Sequence, residues 1–114
     1  LTTLLSYWTP PRFTAAASPL LVEAVTALCT SAGSPPDVAE RATVGDELQL
    51  VAQVLADVAA DAEGRRRRPV PPVTEPGTIA DQLTVLGNDV AAAGLAPTAL
   101  DPLTDRLDAL RSAL

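Results

Sequence analysis

Histidine and lysine are missing from this chain altogether, and methionine with them. Without histidine there is no Ser-His-Asp triad, no Cys-His pair and no general base of near-neutral pKa. Imidazole ligation of zinc or haem goes too. Without lysine, Schiff-base chemistry and a lysine-bearing phosphate loop are closed. The lone cysteine, Cys29, rules out an internal disulfide and a cysteine-built zinc knuckle within one chain. Its place between apolar turns reads as a small buried hydrophobe rather than a reactive thiol. Aromatic residues make up 3%, too few for a row of base-stacking platforms. No apolar run approaches 18 residues, so no membrane span is expected.

Two expectations concern the chain's setting. A small domain without disulfides suits a reducing, cytoplasmic compartment. The missing initiator and the apolar last residue, Leu114, lead us to expect a piece trimmed from a slightly longer chain, which leaves a targeting segment open.

What the chain does have is 114 residues, 47% of them hydrophobic, mostly leucine, valine and alanine. That is enough for a single domain with one modest core, and leucine and alanine favour closely packed helices. The net charge of -6 repels nucleic acid and anionic lipid over most of the surface. The exception is Arg65, Arg66, Arg67 and Arg68, half of all the positive charge in four consecutive positions.

Apolar periodicity predicts an all-α fold, a small bundle of four principal helices spanning residues 1–114. The clearest runs over 43–63. Val44, Leu48, Val51, Leu55 and Val58 recur at steps of four and three, Thr43 and Asp46 form a cap pair, and Gly64 supplies the stop. Before it, Ser18 and Pro19 open a helix to Ala32, ended by Gly33. Its face is Leu21, Val25 and Leu28, widened by Leu20 and Ala24. Ser34, Pro35, Pro36 and Asp37 repeat the cap-plus-proline pattern and predict a turn or two through Arg41. Thr78 with Asp81 caps a third helix carrying Ile79, Leu83, Leu86 and Val90. Gly87 within it costs about 1 kcal/mol against alanine, which points to close contact with a neighbouring helix. Thr98 or Asp101 caps a fourth, with Pro102 in its first turn and Leu103, Leu107, Leu110 and Leu114 as its face. Leu1, Leu4, Leu5 and Trp8 suggest a further short N-terminal helix ended by Pro10 and Pro11.

Between the second and third helices the arginine run passes into a stretch with four prolines, 69–77, read as an extended strap. Such a strap can carry the chain back along the long helix, so that the next helix runs parallel to it. The 43–48 and 78–83 segments resemble each other at an offset of 35 residues, but shared caps and periodicity account for the match without a duplication.

Few side chains carry chemistry. Asp57 and Asp61 share a helical face and, with Asp89, are the carboxylates for a metal-assisted enzyme, although no calcium-loop pattern accompanies them. The arginine cluster has two readings. It neutralises the C-terminal end of an acidic helix beside Asp57, Asp61 and Glu63, or it contacts a phosphate, nucleic acid or acidic protein. Trp8 and Phe13 seal the core or anchor a partner. With no cofactor implied and so thin a chemical inventory, the sequence points away from an enzyme. It points toward a protein-interaction or assembly domain that binds another protein or itself. Nucleic-acid or anion binding through Arg65, Arg66, Arg67 and Arg68 is the second reading, and the carboxylate enzyme the third. The core is expected around Leu48, Leu55, Leu83 and Leu107.

Overall fold

The computed structural model describes residues 14–35, 41–71 and 76–114. Among these it forms a small all-α bundle of four helices: α1 (Pro19–Ala32), α2 (Val44–Ala62), α3 (Pro76–Ala92) and α4 (Pro97–Ala113). The described residues contain no strand, only an isolated antiparallel bridge between Ala16 and Thr43. The expected N-terminal helix, Trp8 and Phe13 lie outside the described residues, as do positions 36–40 of the turn expected before α2.

Local chemistry fixes the ends of α1 and α2. Ser18 Oγ accepts from Leu21 N at 3.2 Å with Pro19 at the first helical position, and α1 ends on Gly33 at φ 67°. Thr43 and Asp46 close a reciprocal capping box: Asp46 N donates to Thr43 Oγ1 at 3.2 Å, and Thr43 N donates to Asp46 Oδ2 at 3.0 Å. Those hydrogen bonds hold the Asp46 carboxyl below its ordinary pKa. Past the other end of α2, Gly64 takes φ 67°, a left-handed conformation that only glycine adopts without strain.

The later helices begin earlier than their hydroxyl residues suggest. α3 starts at Pro76, so Thr78 is its third residue and not its cap, and the likeness to the start of α2 ends there. α4 starts at Pro97 behind Ala96, which offers no capping side chain, and Pro102 falls inside the helix. Lacking an N–H, Pro102 cannot donate to the Thr98 carbonyl and removes one rung of the ladder.

The packing is centred on α2, which lies against α1 on one side and α3 on the other, while α4 packs on α1. Leu48, Val51, Ala52 and Val54 are fully enclosed, and Leu55 and Leu83 are buried with them. At its start α1 meets the start of α2: Ala17 N donates to Ala42 O, and Val44 N to Ala15 O, each at 3.0 Å. At its end Ser34 reaches Asp57, so α1 and α2 run in the same direction. From the end of α2 the strap travels back, its Arg67 on Asp61 and its Pro71 on Gln49. Leu95, just beyond α3, lies in a pocket with Val58, the order of contacts for an α3 that advances alongside α2. Only α4 doubles back, after a short turn with Gly94 at φ 71°.

Two apolar expectations change. Leu20, placed on the core face of α1, is 69% exposed on the rim of a cleft between α1 and α4, and Leu107 is only partly buried, on the wall of a groove between α3 and α4.

Candidate functional site

The arginine run is divided by the structure. Arg65 pairs with Glu63. Arg67 is drawn across the end of the bundle, where Nε and Nη2 donate to the two carboxylate oxygens of Asp61 at 2.9 and 2.6 Å. The same guanidinium donates to the Gly33 and Ala32 carbonyls at 3.0 and 3.1 Å, satisfying acceptors left over at the end of α1. Its Nη1 also lies 3.7 Å from Asp57. The bidentate contact lowers the Asp61 pKa and raises that of Arg67. Arg66 and Arg68 are exposed and form no ion pair with the described residues.

Asp57 is equally committed. Its Oδ2 accepts from Ser34 Oγ at 2.7 Å and its Oδ1 from Gln53 Nε2 at 2.9 Å. Gln53 then grips the strap, donating to Arg68 O at 3.0 Å and accepting from Val70 N at 2.8 Å, while Gln49 donates to Pro71 O at 3.1 Å. Gln49, Gln53, Asp57 and Asp61 therefore make one ladder at four-residue spacing along α2. The shared face of Asp57 and Asp61 serves to fasten the strap and the α1 end. Asp89 is exposed on α3, and no group of three His, Cys, Asp or Glu among the described residues could hold a metal.

A second polar constellation is one that the periodicity argument passed over. Glu47 is completely buried, and Arg41 Nε donates to its two oxygens at 2.8 and 3.1 Å. Arg41 Nη2 also donates to Val22 O at 3.0 Å and Thr26 Oγ1 at 2.6 Å, tying the segment before α2 to α1. The signal was available: Glu47 sits three residues after Val44 and beside Leu48 on the apolar stripe, and a charge on a buried stripe requires a partner. Cys29 is fully enclosed near this pair. Burial pushes its thiol pKa up, partly offset by the Arg41 charge, so it stays a protonated core side chain.

The apolar counterpart to these occupied groups lies between α3 and α4. A groove of about 370 Å³ has Leu55 of α2 beneath it, Leu83 and Gly87 on one wall, and Leu100, Thr104 and Leu107 on the other. Leu100 is 38% exposed at its edge. Gly87 does not make the close helix contact expected of it: no atom of a neighbouring element lies within 4 Å of where its Cβ would stand. No described helix is long and apolar enough to cross a membrane. Compared with known proteins, the chain matches no family model, no curated protein and no solved structure.

Proposed function

We propose that this chain is a small, non-catalytic protein-interaction domain, and that the α3/α4 groove is the surface it offers. The observation that carries this reading is the open apolar groove itself, lined by Leu55, Leu83, Leu100, Leu103 and Leu107. Support also comes from the polar residues: Asp57, Asp61, Arg67, Arg41 and Glu47 bind one another or nearby backbone and are not grouped around a vacant pocket. The partner is another protein or a second copy of the chain. Cys29, held as a buried thiol, suits a cytoplasmic setting.

Site-specific photo-crosslinking tests this. A benzophenone side chain in place of Thr104, within the full-length protein in its native cell, should give a discrete protein adduct that Gly87→Leu removes by filling the groove. Absence of any adduct, or an adduct indifferent to Gly87→Leu, overturns the reading.

Anion or nucleic-acid contact through the arginine run is the second reading, and its support is narrower than the sequence implied. Arg66 and Arg68 remain free of ion pairs with the described residues, whereas Arg65 and Arg67 are engaged. Two exposed cations give little affinity by themselves. Salt-dependent RNA or DNA binding that disappears in Arg66→Gln/Arg68→Gln would favour it.

A further inference from the structure

The α3/α4 groove has a shape and a charge that narrow its occupant. Leu100 and Leu107 lie seven residues apart on α4, and Leu83 and Val90 seven apart on α3, so the walls run for about two helical turns. That length suits an amphipathic helix whose apolar anchors recur at steps of three and four, the helix-in-groove mode of recognition. Gly87 matters here. A glycine inside a helix weakens it relative to alanine, and this one has no close neighbour among the described residues. The missing side chain leaves the wall recessed at its middle, where an incoming side chain can seat.

The rim is charged on one side. Asp101 and Asp108 stand three residues before and four after Thr104, hence beside it on the α4 surface, and both are exposed. The α3 residues that line the groove, Leu83, Gly87, Val90 and Ala91, carry no charge, and Arg111 stands four residues beyond Leu107 at one end. Across α3 and α4 there are five aspartates against two arginines. None of the five joins an ion pair with the described residues. An apolar trough flanked by unpaired carboxylates is complementary to a cationic helix and repels an acidic one, this chain's own helices included.

We infer that the partner of this groove is a cationic amphipathic helix of another protein, laid along α3 and α4 with lysines or arginines beside Asp101 and Asp108. The inference rests on the interaction reading above and adds the class of partner.

The test uses the full chain and three synthetic 15-residue helical peptides. They share a leucine stripe at steps of three and four and carry lysine, glutamine or glutamate on the flanks. Fluorescence anisotropy should show the lysine peptide binding at least tenfold tighter than the glutamate one. Its affinity should fall about three- to tenfold as salt rises from about 50 to about 300 mM, as expected of exposed ion pairs. Asp101→Asn with Asp108→Asn should close most of the gap between peptides. Gly87→Leu should abolish binding without lowering the melting temperature, and Leu100→Lys, at an exposed position, is a second block, removing an apolar contact and repelling the lysine peptide. Equal binding of all three peptides, or tight binding that survives both blocks, overturns the cationic-helix inference. So does a dimer of the chain alone, seen by analytical ultracentrifugation and dissolved by Gly87→Leu. If no peptide binds while the Thr104 adduct persists in cells, only the class of partner is wrong. If both are absent, the groove reading falls as well.

Discussion

The strap side of α2 and the α3/α4 edge make opposite use of their side chains. Along the strap, an unusual density of polar groups invites a functional interpretation, yet Gln49, Gln53, Asp57, Asp61 and Arg67 all bond within the chain. At the other edge the residues are ordinary leucines, a glycine and a threonine, and nothing in their identity attracts notice. There the described residues leave the surface uncovered. Conspicuous chemistry in a sequence can thus be structural mortar, while an inconspicuous stripe lines the open groove. The deciding property is whether each group already has a partner.

The comparison breaks most sharply at a leucine on either side of it. Leu48→Ala should cost about 2 to 5 kcal/mol, since Leu48 is fully enclosed and its removal leaves a cavity. Leu100→Ala should shift stability by less than about 1 kcal/mol. Urea denaturation measures both, and equal losses would mean that Leu100 belongs to the core.

The strap offers a smaller effect. Arg67→Gln removes charge-assisted bonds to Asp61 and to two α1 carbonyls, and because the site is partly exposed the expected loss is about 1 kcal/mol. Acid provides a second view of the same contact. The folded-state pKa of Asp61 lies below its unfolded value, so its contribution is complete above about pH 4 and fades as pH falls through the lowered pKa. Stability curves of the parent and Arg67→Gln should therefore converge toward low pH. A constant gap down to pH 2 would assign the effect of Arg67 to its carbonyl contacts alone.

The smallest expected change has the opposite sign. Gly87→Ala should stabilise the protein by about 0.5 to 1 kcal/mol, because helix propensity improves and the added methyl meets no neighbour. Destabilisation in thermal melts would reveal a closer α3–α4 approach.

Most of the fold could be read from residues that act locally. Ser18, Pro19 and Gly33 delimit α1 and Thr43, Asp46 and Gly64 delimit α2, because each satisfies or releases backbone groups within a few positions. Where two local signals compete, proline prevails: Thr78 and Thr98 look like caps, but Pro76 and Pro97 already occupy first helical positions. The site was harder to read. That Arg67 reaches Ala32, or that Asp57 holds Ser34, depends on contacts spanning more than twenty residues of sequence, which periodicity does not carry. Likewise, Leu20 and Leu107 keep the correct spacing on their helices. Their exposure follows from how far α4 extends over its neighbours, a property of the assembled bundle.

The shared direction of α1 and α2 also bears on how the chain reaches its native state. Two helices joined as a hairpin can zip from the turn, whereas two that run in the same direction have no such starting point. The contacts that join their ends, Ala15 with Val44 and Ser34 with Asp57, close loops of more than twenty residues. Refolding should accordingly be slower than in an up-and-down bundle of similar size.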